Sequence, residues 1–224
     1  MYHQKMRFLW VTIALAIFSI ATLTSCEKKD SEKDKQADDD NGNGNGNGTE
    51  NVWEPYKFST NTYYSYDYEY TENGEVTSSG IVEIKIYDPK VEIIATIDGE
   101  EIVSEANIYD DIFENFTMAI ITTPLYGILY TSYWAAAFSD RDLEVGASWS
   151  YSYQNSSFSY AITGKETYAG YEGYVIESTW QDEGETITWH SCICIDVPLP
   201  LMAEIEYDNS SVQYMELTEF SEMK

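Results

Sequence analysis

Tyr64, Tyr66, Tyr68 and Tyr70 recur at every second position, with Ser65, Asp67 and Glu69 between them. A period of two suits a strand, whose successive side chains leave opposite faces, and does not suit a helix. The segment therefore reads as a half-buried antiparallel strand with its rings toward a core and its polar residues toward water. Asn73-Gly74 follows, a pair that accepts the positive φ angles of a tight hairpin turn. Val82, Ile84 and Ile86 then alternate with Glu83 and Lys85, and Asp98-Gly99 supplies a second hairpin signal after Val91, Ile93, Ala95 and Ile97. The N-terminal half reads as a meander of about four strands.

The C-terminal half repeats the pattern. Trp149, Tyr151 and Tyr153 alternate with Ser148, Ser150 and Ser152, and Asn155-Ser156-Ser157 can turn the chain into Phe158, Tyr160 and Ile162. Further strands are expected at Tyr171–Trp180, Thr186–Ile195, Leu201–Tyr207 and Ser211–Glu219, with turns at Asp182–Glu185 and Asp208–Ser210. Between the halves, Asn107 can cap a helix with Ile108, Ile112, Phe116 and Ile120 on one stripe. Thr122-Thr123-Pro124 marks a stop and a new start, and Leu125, Ile128, Leu129, Tyr133 and Ala136 continue the helical spacing. From Thr117 to Ser139 there are 23 residues without a charge. That length could cross a bilayer, but Pro124 and Gly127 interrupt it and no Lys or Arg excess marks a cytoplasmic side, so a buried helical pair at 108–138 is expected. The fold class is mainly β (α+β): a large curved antiparallel sheet or half-barrel of about ten strands with this largely buried pair inserted.

Charge restricts the partners. The chain has 12 Lys plus Arg against 39 Asp plus Glu, a formal charge of -27, and its only arginines are Arg7 and Arg141. Nucleic acid and anionic lipid headgroups both require clustered cations, so neither is a partner through the domain surface.

The N-terminus carries a separate instruction. Lys5 and Arg7 precede Phe8 to Leu23, a 16-residue uncharged, mostly apolar run that ends in Leu23-Thr24-Ser25-Cys26. This is the layout of a secretion signal, too short for a typical spanning helix. The Leu23, Thr24, Ser25, Cys26 tetrad resembles the lipobox of prokaryotic lipoproteins. The resemblance implies a diacylglycerol thioether on Cys26, removal of residues 1–25, and a palmitate-type anchor, for which two acyl chains suffice. Residues 26–52 are rich in Glu, Lys, Asp, Asn and Gly, with four Asn-Gly repeats from Asn41 to Gly48, and form a flexible acidic tether to a domain at 53–224. The Glu27-Lys28-Lys29-Asp30 run resembles the charged segments that direct some Bacteroidota lipoproteins to the cell surface. Asp39, Asn41, Asn43, Gly44 and Glu50 match a calcium-loop spacing, but the flanks are a charge run and further Asn-Gly rather than the two helices such a loop needs, so no metal is assigned.

Chemistry-bearing constellations are sparse. His190, Cys192 and Cys194 share a strand face, yet His190 and Cys194 would lie about 13 Å apart along an extended strand, too far for one ion. The two cysteines read as small buried thiols. No G-x-S-x-G elbow occurs, and only His190 could serve a triad after signal removal. With 31 acidic residues from Asn51 onward, a carboxylate pair has no diagnostic value, and the acid is expected on a solvated face. No catalytic residue and no cofactor is assigned. A carboxylate-based hydrolase ranks last among the readings.

Gly164-Lys165-Glu166-Thr167-Tyr168-Ala169-Gly170, then Tyr174-Val175-Ile176-Glu177, Trp189 and Pro198-Leu199-Pro200-Leu201, are similar in order to the C-terminal meander of the lipoprotein carrier and receptor (LolA/LolB) group of envelope proteins. The resemblance spans about Ala147 to Glu219 and implies an antiparallel sheet wrapped round helices, with acyl chains held in the concavity. The expected function is that of a lipid-anchored, non-enzymatic envelope lipoprotein whose membrane partner is reached through the anchor and whose domain binds a hydrophobic ligand or lipid. The alternative is a structural or protein-interaction lipoprotein with a filled core.

Overall fold

In a computed structural model, the described residues are Trp53, 58–107, 143–153, 156–182, 185–207 and 210–223. They form β1 (Thr62–Glu72), β2 (Glu75–Ile86), β3 (Lys90–Ile97), β4 (Glu100–Asn107), β5 (Ser148–Tyr153), β6 (Ser156–Tyr168), β7 (Tyr171–Asp182), β8 (Glu185–Ile193), β9 (Met202–Tyr207) and β10 (Ser211–Glu222). All ten lie in one antiparallel sheet in the order β4-β3-β2-β1-β10-β9-β8-β7-β6-β5, open at β4 and β5. Two meanders are thus joined where the last strand returns beside the first, from Thr62↔Glu222 to Glu72↔Ser211.

The tyrosine alternation does what its period requires. Tyr64, Tyr66 and Tyr68 are buried while Asp67 and Glu69 are exposed. Asn73-Gly74 and Asp98-Gly99 are hairpin turns in which both residues have positive φ, and Ala169-Gly170 forms a third of the same kind between β6 and β7.

Several boundaries differ from the sequence expectation. Ser156 and Ser157, expected in a turn, are the first residues of β6, and β6 continues to Tyr168. The polar half of β2, Glu75 to Gly80, has no apolar alternation and is held as strand by pairing with β1. β8 stops at Ile193 and β9 starts at Met202, because the chain turns at 195–196 and 197–201 packs as a separate segment. The expected helical pair at 108–138 lies outside the described residues, as do the leader, the Leu23–Cys26 tetrad and residues 26–52. Among the described residues there is no helix.

Three register shifts leave one extra residue each: Thr77 in β2, Thr163 in β6 and Thr218 in β10. A β-bulge bends its strand and increases the local twist. Each of these threonines donates its hydroxyl across the ladder, Thr77 to the Tyr70 carbonyl (3.3 Å), Thr163 to Val175 (3.4 Å) and Thr218 to Ser65 (3.1 Å). The irregular positions are thereby tied to the partner strand that the bulge would otherwise loosen.

Candidate functional site

The inner face of the sheet is the first place to look for a ligand cavity. Cross-strand partners share a face, and the series Ile162↔Ile176↔Ser191↔Ala203↔Met215↔Tyr68 carries that face from β6 to β1. Over β1–β3, Tyr64, Tyr66, Val82, Ile84, Ile86 and Ile93 pack in one cluster with Val197, Leu199 and Leu201 of the segment between β8 and β9. Polar contacts fix that segment in place. The Tyr66 hydroxyl donates to the Pro200 carbonyl (2.9 Å), and Trp53 Nε1–H donates to the Val197 carbonyl (2.9 Å). Toward β6, Phe158, Tyr160, Ile162, Ile176, Trp189, Ile193 and Ile205 are also buried. Over β1–β3, chain atoms thus occupy the face that a lipid carrier would keep hollow.

The histidine and the thiols do not converge. His190 Nδ1 lies 3.0 Å from Glu204 Oε1, in a row with Glu177 on the neighbouring strand. Cys192 and Cys194 are free and buried. Burial, then the nearby Glu166 carboxylate and Cys194, push the Cys192 thiol up to about 12, and burial raises Cys194 as well. A thiol held protonated is a poor nucleophile and a poor metal ligand. Among the described residues no group of three His, Cys, Asp or Glu side chains is placed to hold a metal ion.

Near the β6–β7 turn the Tyr168 hydroxyl donates to Glu166 Oε2 (2.5 Å), and the Tyr214 hydroxyl on β10 donates to Glu216 Oε2 (2.6 Å). Burial and the paired carboxylates raise both phenols above the ordinary tyrosine value, so both stay neutral donors. Each bond stays within its own strand, β6 or β10, and no acid–base pair results.

The outer face of β5–β8 has a different character. Three register rows cross it: Ser148–Ala161–Glu177–His190, Ser150–Ser159–Thr179–Thr188 and Ser152–Ser157–Gln181–Thr186. Eight of these twelve positions are hydroxyls, and one is a carboxylate. Strand spacing sets them about 4.8 Å apart across the sheet and about 6.7 Å apart along each strand. The Ser-x-Ser-x-Ser and Thr-x-Thr runs were legible in the sequence, but alone they mark only a polar strand face. Pairing of four strands in register is what makes them an array.

No protein-family model matches the sequence, and no curated protein matches it. Among solved structures, one that it resembles is a Bacteroides fragilis protein described as inferred to be exported and as having a YmcC-like fold. The two are 14% identical, the match covers 77% of this chain and 100% of that one, and the TM-score is 0.31. A likeness that slight says nothing about what this chain does.

Proposed function

We propose that the chain is a lipid-anchored lipoprotein of the cell envelope, held outside the cytoplasmic membrane by acyl chains on Cys26, whose β domain is carried on the acidic tether 26–52 and works through its outer surface without catalysis. The anchor rests on the leader and the Leu23-Thr24-Ser25-Cys26 tetrad. One observation supports surface action over lipid carriage: over β1–β3 the inner face is packed by the chain itself, with Val197, Leu199 and Leu201 fully buried against the tyrosines of β1. A carrier of acyl chains needs a mostly apolar cavity of several hundred Å3, and such packing disfavours one over β1–β3.

Labelling with palmitate in a cell that processes lipoproteins tests the anchor. Wild type should incorporate label and sediment with membranes, and Cys26→Ala should do neither. Label retained by Cys26→Ala would sink the anchor. The same unlipidated full chain should take up no fluorescent fatty acid, and stoichiometric uptake would restore the hydrophobic-ligand reading.

A further inference from the structure

We propose that the outer face of β5–β8 is a docking surface for a neutral, hydroxyl-rich polysaccharide. This names the partner of the surface-acting reading above and rests on it. The first ground is hydrogen-bonding capacity. Many hydroxyls elsewhere on the sheet are engaged, Thr62, Thr71, Thr77, Ser78, Thr163, Thr218 and Ser221 each donating to a carbonyl or carboxylate, although those of buried Ser178 and Ser191 have no partner. By contrast, the hydroxyls of Ser148, Ser150, Ser152, Ser157, Ser159, Thr179, Thr186 and Thr188 make no hydrogen bond within the protein among the described residues. Exposed hydroxyls need no protein partner because water serves them. Eight together in a register-locked array, however, offer donors and acceptors at fixed spacing to a ligand that can replace that water.

Charge is the second ground. The molecule carries 39 acids against 12 bases, yet across these twelve positions there is one carboxylate, Glu177, and no Lys or Arg. A polyanion finds no cation there and meets repulsion from the rest of the surface. A cation finds better sites elsewhere on so acidic a chain.

Composition disposes of the remaining partners. Protein interfaces concentrate aromatic residues, Met and Arg in a desolvated centre and are depleted in Ser, whereas the largest apolar side chain here is the methyl of Ala161. Small apolar ligands need concavity and apolar lining, and an exposed outer face of hydroxyls offers no such lining. A neutral polymer with hydroxyls at short regular intervals fits what is left. Each hydrogen bond exchanged with water contributes little alone, but a repeating chain on a repeating grid engages many at once.

Electrophoresis of the full-length Cys26→Ala protein through gels containing dextran, mannan, xylan or hydroxyethylcellulose, with polygalacturonate as the anionic comparison, tests the proposal. At least one neutral polymer should retard the protein, and polygalacturonate should not. Ser159→Glu, at the centre of the array, should weaken retardation by tenfold or more. The uncharged pair Ser159→Ala with Thr179→Val, which removes two hydroxyls at little change in shape, should weaken it by about tenfold. Thr96→Glu, an exposed strand threonine on β3, should leave it unchanged, with far-UV circular dichroism confirming that all variants are folded. Free migration in all four neutral gels, equal retardation of wild type and array variants, or array-dependent capture of an envelope protein without polysaccharide binding would each overturn the proposal. Palmitate labelling separates this failure from that of the anchor. A protein that is labelled but never retarded loses only its polysaccharide, and one that is retarded but never labelled loses only its anchor.

Discussion

The ring of Tyr171, at the start of β7, lies 5.5 Å from the ring of Phe220 on β10, although β8 and β9 run between the two strands. Three strand spacings amount to about 14 Å in a flat sheet, where side chains stand perpendicular to the plane and cannot meet. The sheet therefore curls so that the β6–β7 turn end approaches β10. Phe220 in turn stacks on Tyr64 (4.8 Å), and Tyr64 meets Phe58 edge-on (6.4 Å), so one aromatic chain links the N-terminal and C-terminal meanders.

If that contact holds the curl, the two rings are energetically coupled. Phe220→Ala should cost about 2 kcal/mol, less than for a fully buried ring because Phe220 is half-buried. A double-mutant cycle with Tyr171→Ala, read by urea denaturation, should return a coupling of about 0.5–1.5 kcal/mol. Strict additivity would mean that the rings lie together without supporting the curl.

Gly80 and Gly164 both lie inside strands, yet they should respond oppositely to a methyl group. A Cβ at Gly80 would collide with the carbonyl oxygen of Thr96 and the backbone of Ile97 on β3, and backbone atoms of a paired strand cannot move aside. A Cβ at Gly164 meets nothing within 4 Å. Gly80→Ala should therefore cost several kcal/mol or prevent folding, through the overpacking that close-packed interiors resist. Gly164→Ala should stay within about 0.5 kcal/mol of wild type in thermal melting.

Much of this sheet was legible because its signals are local. The period-two runs at Tyr64–Tyr70, Val91–Ile97 and Trp149–Tyr153 and the Asn73-Gly74 and Asp98-Gly99 turns each describe a few adjacent residues, and those strands and hairpins are present. Where the signal was absent, the strands were misjudged. The half of β2 from Glu75 to Gly80 is largely exposed and polar, and it is held extended by pairing with Tyr68–Glu72 of β1 and, at its end, with Ile97 and Asp98. Pairing of β1 with β10 joins residues about 150 positions apart, and no short-range pattern encodes it. Interior packing by Val197, Leu199 and Leu201 was equally hidden, since Pro198-Leu199-Pro200-Leu201 reads as a loop until Tyr66 is seen to donate to Pro200. The hydroxyl array was hidden for the same reason, as its rows cross four strands.

The turn at Ala169-Gly170 has a residue out of keeping with its geometry. Ala169 has φ 49°, a left-handed conformation in which its Cβ crowds the following carbonyl, whereas the other two turns of this kind have Asn73 and Asp98 in that place. Asn tolerates the conformation better than Ala. Ala169→Asn should therefore stabilise the protein by about 0.5–1 kcal/mol and raise Tm by a few degrees. An unchanged or lower Tm would show that the turn is not strained at this residue.

Alkaline pH should expose the buried thiols. In the unfolded chain Cys192 loses its proton near its ordinary value of 9.0, whereas in the folded protein burial, the Glu166 carboxylate and Cys194 hold it protonated up to about 12. The unfolded state therefore releases a proton that the folded state retains, so this contribution to stability is complete below about pH 9 and is lost as pH rises toward 12. The slope of unfolding free energy between pH 9 and 10 should be negative, at most about 1.4 kcal/mol per pH unit for each such thiol. Cys194, raised in the same direction, adds to it. The phenols of Tyr64, Tyr160, Tyr168 and Tyr214, also raised by burial, add to the loss as pH approaches 10, so the share of Cys192 is read as the difference in slope between wild type and Cys192→Ala. Cys192→Ala should make the slope between pH 9 and 10 shallower whatever it does to stability at pH 7, since a packing defect shifts the whole curve without changing its slope. In parallel, the folded Cys26→Ala chain should leave a thiol reagent unreacted at pH 8 and yield two thiols only after denaturation, because the reactive thiolate is scarce when the pKa lies so far above the solution pH. Rapid reaction of the folded chain would show that the strands around Cys192 open readily and that its neutral state does not contribute to the stability of the native sheet.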